Sequence, residues 1–366
     1  MHPQTNKPNR PPQDLKASLR SLRRNMDQHG AAMLSRWLLS SFAIIGVIAF
    51  IPSAYARIPL ALLGAGYLQR LATSGILHES FHGTFFSNRK LSDALARTLA
   101  ALVLIDYDQA KTGHFGHHAH LATKKDPELI DMKRYGLKPK GMSQKQILFM
   151  LARTFHPRHI AQDAVQLARL LVREPHILVL WSGIFAAAYV IGSPALLIAG
   201  SWVAAALTTR RLLWLMANST EHDFVLASEI EQGSTAEGRR LAKLPIRYRW
   251  LALSRERHGW WFKIVCPESE KLWHGDHHAE PALPGAASAP YVAMKIAADP
   301  IYRRERKVVA GLFRGNEHHE AAYASLMRGR ESAIDSHYNV NTAAAPCRSA
   351  RESPMQKAAK RAMAKS

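Results

Sequence analysis

Cysteine is nearly absent from this chain. There are two in 366 residues, Cys266 and Cys347, far apart and in no CxxC pair. That excludes a disulfide-stapled scaffold. Negative charge is also scarce: Lys and Arg total 49 against 28 Asp and Glu, a net charge of +21. No nucleic-acid-binding motif accompanies that charge, so nucleic acid is not an expected partner. No short apolar core with a small-residue cleavage site opens the chain, so no secretory signal is expected. The first 30 residues are instead polar, basic and proline-containing (PNRPPQ). Disorder throughout is excluded as well, because 47% of residues are apolar. The mean hydropathy is slightly negative, which reads as soluble until the apolar residues are located. They are clumped.

Four apolar blocks stand out: about Met33 to Ile51, Ile58 to Leu77, His176 to Ile191 and Ala195 to Met216. Each is near the ~20 residues that carry a helix across a bilayer. The turns within each pair are short, PSAYAR and Gly-Ser-Pro. The pattern predicts an all-α integral membrane protein with two transmembrane helical hairpins, four spans in all. Gln69, Arg70, Arg210 and Arg211 fall in the second halves of their blocks, where they can snorkel or face the protein interior. The turns carry little charge. The tail with Lys16, Arg20, Arg23, Arg24 and Arg36, the segment from Arg89 to Arg173 and everything after Arg239 are basic. The positive-inside rule then puts both hairpin tips outside and both termini on the cytoplasmic face of a membrane, expected to be a bacterial inner membrane. Anionic lipid attraction adds to the same bias. The middle segment reads as helical, with Ser92 as a candidate N-cap for SDALARTLAALVLI.

Histidine is abundant, with 19 in the chain, and it groups at the ends of the apolar blocks. His78 and His82 (HESFH) follow the second block. His114, His117 and His118 (HFGHH) form one HxxHH group; His274, His277 and His278 (HGDHH) form another. His222 lies after the fourth block in NSTEH, with Asn218 four residues earlier. On helices, positions i, i+3 and i+4 share a face. With the predicted topology all four groups fall on the cytoplasmic side. Nine neutral imidazoles converging there can hold two first-row metal ions, more than the four ligands a tetrahedral zinc needs. Imidazole suits iron, zinc, copper and nickel alike. Glu79 and Glu221 adjoin these histidines and fit either orienting carboxylates or solvated, capping ones. His120, His156, His159 and His258 are read as non-ligands, and Trp260, Trp261 and Phe262 as an interfacial anchor.

HESFH, HFGHH, NSTEH and HGDHH, in this order around two hairpins, resemble the membrane fatty acid desaturase-like superfamily over roughly residues 35 to 290. HHAEPALP, through Pro281 and Pro284, is similar to that family's HHxxPxxP pattern, and KKDPE (Asp126, Pro127) is similar to a tract its members often carry. The resemblance implies two iron ions and O2 as co-substrate. It implies ligand roles for His78, His82, His114, His117, His118, His222, His274, His277 and His278, and a water-mediated role for Asn218. No cytochrome b5 module is evident, so the implied electron donor is a separate ferredoxin, rubredoxin or cytochrome b5 with its reductase, attracted by the basic surface.

The implied reaction is attack on an unactivated C–H bond of a lipid acyl chain, chemistry that side-chain acids and bases cannot perform. Desaturation is expected first. Hydroxylation or ketolation of a lipid or isoprenoid, or decarboxylation to a terminal alkene, stays open within the class. A zinc-dependent membrane hydrolase is the alternative outside it. A metal transporter is disfavoured because the histidines sit at span ends rather than mid-span. The expected organisation is a basic disordered tail over 1–32, the desaturase-like domain over 33–290 with a cytoplasmic helical cap holding the metals, a helical segment over 291–330 and a disordered basic tail over 331–366.

Overall fold

The computed structural model describes residues 26–138, 143–258, 274–279, 281 and 299–310. The expected tail over 331–366, the aromatic triplet at 260–262, Pro284 and both cysteines lie outside the described residues.

The first helix, α1 (Met26–Phe50), already includes the last residues of the segment expected as an N-terminal tail. Asp27, in its first turn, ties it to the loop before the fourth helix: its carboxylate accepts from the Ser87 amide at 2.8 Å and the Ser87 hydroxyl at 2.7 Å. At 25 residues it is about 37 Å long, enough to cross a bilayer. Phe42 is 72% exposed and Phe50 89%, as befits a helix whose outer face meets lipid tails. Trp37 faces inward and donates its indole N–H to the Leu68 carbonyl at 2.9 Å. Pro52 stops the helix. The second helix, α2 (Ala54–Leu71), returns antiparallel. It continues through a π-helical stretch, Ala72–Leu77, into the short α3 (His78–His82). Gly83 ends α3 in the left-handed conformation (φ 66°), where a residue without Cβ carries no steric cost.

Helix α4 (Arg89–Leu102) is capped by the Asn88 side chain, which accepts from the Leu91 amide. The expected cap, Ser92, is one turn inside the helix and buried. Asn88 wins because its extended backbone lets its side-chain oxygen reach the first turn. The far end of α4 dips between the apolar helices. There the Ala101 carbonyl accepts from the Trp181 indole (3.1 Å), Leu102 from Trp202 (2.7 Å) and Val103 from the Arg210 guanidinium. Away from water such carbonyls must be paired by protein groups. Helices α5 (Tyr107–His120), α6 (Pro127–Arg134) and α7 (Gln144–Ala152) follow.

Helix α8 (Pro157–Arg173) meets α9 (Pro175–Ile191) at 106°. A turn at Gly192 leads to α10 (Ser193–Leu207), and a break at Thr208 leads to α11 (Thr209–Glu221). The described helices long and apolar enough to cross a membrane are Met26–Phe50 and Ser193–Ser219, with a third if the bent pair α8 and α9 counts as one. Four such spans were expected. The helix over the second block, α2, falls short because Arg57, Gln69 and Arg70 dilute it, and α9 has only 17 residues. The polar groups in these helices turn inward. Gln69 is fully buried and donates to the Trp202 carbonyl at 2.7 Å, and Arg211 pairs with Asp131 at 2.9 Å.

The cap is completed by α12 (Phe224–Gln232), α13 (Ala236–Ala242), α14 (Ile246–Leu253), α15 (His274–Ala279) and α16 (Pro300–Glu305). Its core gathers Leu121, Met132, Met150, Leu215, Leu241 and Trp250. A short piece of sheet departs from the all-helical expectation. Arg255–His258 (β1) and Lys307–Ala310 (β2) pair as a two-stranded parallel ladder, Arg255 opposite Lys307. Parallel pairing brings two segments distant in sequence side by side.

Candidate metal centre

Four chain segments deliver the histidines. The α2–π–α3 rod carries His78 and His82 inward, one turn apart on one face. Helix α5 delivers His114, His117 and His118; its N-terminus is capped by Asp106, which accepts from the Gln109 amide. His222 ends α11, where it bridges to Ser254 as the Asp223 amide donates to the Leu253 carbonyl at 2.8 Å. His274, His277 and His278 come from α15.

The nine imidazoles predicted from sequence all meet, in two neighbouring clusters. The first holds His78, His82, His114, His118 and His277, with one ligand nitrogen of each within 4.8 Å of the others. His82 Nε2 and His114 Nε2 stand 2.6 Å apart, and His277 Nε2 and His118 Nε2 3.2 Å apart. The second gathers His117, His222 and His278, and around His222 also Glu221 and His274. There His274 Nε2 lies 3.2 Å from His222 Nε2 and 3.1 Å from His278 Nε2. The clusters adjoin because both His-His pairs split between them. Consecutive residues on a helix point about 100° apart, so His118 and His277 enter the first cluster while His117 and His278 enter the second.

All but the partly buried His114 are buried. Burial, reinforced by the surrounding imidazoles, holds His114, His277 and His278 well below the ordinary histidine range. Neutral rings present lone pairs, and lone pairs at hydrogen-bond distance repel unless a proton or a cation lies between them. The donor set therefore fits two metal cations held by nitrogen, with a carboxylate at hand.

Orienting groups surround the rings. Asp126, fully buried, accepts from His117 Nδ1 at 2.9 Å, from the Ala122 amide at 2.7 Å and from the Glu128 amide at 2.9 Å. It is at once the N-cap of α6 and the group that turns His117 Nε2 toward the second cluster. Glu221 Oε2 lies 3.6 Å from His274 Nε2. Glu79, also buried, accepts from the Thr84 hydroxyl.

Asn218 is buried and donates to Glu128 Oε2, which lies 3.7 Å from His117 Nε2. Sequence reading missed Glu128 as a site residue. It is the last letter of KKDPE, two positions after Asp126, and the first turn after a Pro is where an acidic side chain would be sought. Asp276, inside the last histidine group, was missed too. Of the histidines read as non-ligands, His120 joins neither cluster, His156 accepts from the Arg158 amide as a helix cap, and His159 lies tilted with its ring 4.8 Å from that of Tyr135.

A family model described as fatty acid desaturase matches residues 52–287, well over half of the chain. No curated protein matches it. The matched stretch runs from the first hairpin turn to just past the last histidine pair, and on that match the chain belongs to the fatty acid desaturase family.

Proposed function

We propose that this protein is a di-iron, O2-dependent membrane oxidase that desaturates a lipid acyl chain. The observation that carries this reading is the convergence of nine imidazoles into two adjoining clusters in a chain of the desaturase family. Five histidines would hold one iron: His78, His82, His114, His118 and His277. The other would be held by His117, His222, His274 and His278, with Asn218 and Glu128 placed to carry a water. When bound, the two irons supply the O2-derived oxidizing power that a C–H bond of an alkyl chain requires.

The chain's own residues do the rest. Asp126 keeps the proton of His117 on Nδ1 and so leaves Nε2 as the donor. Glu221 and Glu128 add negative charge beside the second cluster, which offsets dipositive ions. Burial of the rings excludes the water that would intercept a reactive oxidant. An apolar cleft lined by Trp37, Ile45, Trp181, Ile198 and Trp202 offers alkyl chains a place among the membrane helices. In this reading α1 with α2 and α9 with α10 are two membrane hairpins with their tips outside, and the histidines face a cytoplasmic electron donor.

Mass spectrometry of lipids and hydrocarbons from cells expressing the wild type or His277→Ala tests the proposal. An acyl chain lighter by two hydrogens, formed only by the wild type, is the expected result. A product heavier by one oxygen would make the enzyme a hydroxylase, and a shortened terminal alkene a decarboxylase. Hydrolytic activity that needs neither O2 nor a reductant, with zinc in the purified protein, would overturn the oxidase reading.

A further inference from the structure

Helix α15 carries three of the nine histidines, yet it is only six residues long. A helix so short has no stability of its own, because nucleation consumes more than one turn returns. Something outside it must fix its rotation and position. One face is used up by His274, His277 and His278. Gly275 packs on Leu251 and the Ser254 carbonyl of the preceding helix and turn. The remaining inner side chain is Asp276, with 0% exposure, and it stands in sequence between His274 of the second cluster and His277 of the first.

A carboxylate buried so completely must be compensated. Among the described residues, two of its partners come from beyond the stretch matched by the family, from residues 299–306. The guanidinium Nε of Arg306, whose side chain is 1% exposed, lies 3.2 Å from each Asp276 oxygen. The Tyr302 hydroxyl donates to Asp276 Oδ1. The segment is itself pinned at both ends. Asp299 caps α16 and accepts from the Tyr248 hydroxyl at 2.7 Å, and Glu305 makes a two-bond pair with Arg240 at 2.5 and 2.7 Å. Residues 299–306 thus form a clasp that grips α15 through its one buried carboxylate.

The geometry assigns Arg306 and Tyr302 as positioning residues for the metal centre. By holding Asp276 they set the rotation of α15, and with it the aim of His277 into the first cluster and of His274 and His278 into the second. Because one short helix serves both clusters, loosening the clasp disturbs both metal sites together. The inference rests on the reading of those histidines as metal ligands.

The test is metal affinity of the full-length protein in detergent, by competition with a chelator, together with the absorption spectrum after loading with Co2+. Wild type, Arg306→Met, Arg306→Lys and Tyr302→Phe are compared, each first shown to be folded by circular dichroism. Tyr302→Phe removes one hydroxyl and keeps the ring, so it stays informative even where Arg306→Met fails to fold. We expect about tenfold weaker metal binding for Tyr302→Phe and up to about a hundredfold for Arg306→Met, the range found when groups behind metal ligands are removed. Both should alter the Co2+ bands, and Arg306→Lys should recover part of the loss. Wild-type affinity and an unchanged Co2+ spectrum in Tyr302→Phe, and in Arg306→Met where it folds, would overturn the assignment while leaving the metal centre intact. A wild type that binds no metal would overturn the underlying reading and the assignment with it.

Discussion

Asp126 offers the sharpest separation of metal-site support from ordinary helix stability. Its carboxylate caps α6 through the Glu128 amide and also holds the His117 ring and the Ala122 amide. Replacing it with alanine removes an N-cap, at a cost of about 1 kcal/mol. It also strands two buried donors, the His117 Nδ1–H and the Ala122 N–H, at about 1 to 3 kcal/mol each. The sum is about 3 to 5 kcal/mol of stability once partial relaxation is allowed. Freed of its anchor, the His117 ring can rotate and change tautomer, which should weaken metal binding by about 10- to 100-fold. Asp126→Asn should fall between, because its amide can present an oxygen to only one of the two donors and turns an NH2 toward the other. Asp106→Ala is the matched control. Asp106 caps α5 through the Gln109 amide and pairs with Arg173, away from the imidazole clusters. The assay is chelator competition in detergent micelles with thermal unfolding measured on the same samples. If Asp126→Ala binds metal as tightly as the wild type and Asp106→Ala do, the orienting role of Asp126 is refuted and only its capping role survives.

Three further outcomes follow from the packing and the charge. A Cβ at Gly66 would lie 2.2 Å from Thr209 Oγ1 and 3.0 Å from the Thr209 backbone, whereas nothing lies within 4 Å of one at Gly46; Gly66→Ala should lower stability by about 1 to 3 kcal/mol in thermal unfolding, and Gly46→Ala should not. Trp202→Phe strands the Leu102 carbonyl at the buried end of α4 and should cost about 1 to 3 kcal/mol by the same measurement, with a wild-type melting temperature counting against the pairing. Turnover with an acidic electron donor at fixed concentration should fall as salt rises, since screening weakens attraction to a chain of net charge +21; a rate indifferent to salt would remove that basis for docking.

The histidine sites were legible in the sequence because their spacing is local. HESFH, HFGHH and HGDHH each fit on a turn or so of helix, and the structure brings all nine rings together. How they divide between clusters was not legible, because it depends on the aim of adjacent residues in two helices packed from distant parts of the chain. The apolar blocks foretold helices, and the third block coincides closely with α9. The second and fourth were read as uninterrupted. They proved to hold a π-helical stretch at 72–77 and a break at Thr208, which composition does not mark. Arg210 and Arg211 were equally open to snorkelling or burial. Only the long-range partners, the Val103 carbonyl and Asp131, settle that they turn inward. The contacts of Asp276 with Tyr302 and Arg306 join residues whose separation no periodicity reports.

The π-helical stretch Ala72–Leu77 works as an angular gearbox between the membrane and the chemistry. A π turn takes in more residues than an α turn, so the face that α2 packs against its neighbours and the face on which His78 and His82 stand are offset from each other. One residue is worth about 100° of helix rotation. Because the wider turn absorbs an extra residue, deleting one in 72–77 would let the rod relax to a uniform α-helix with His78 and His82 still on nearly the same face. The same deletion in the α-helical turns of α2 meets no such slack and would swing both histidines by about 100° from the first cluster.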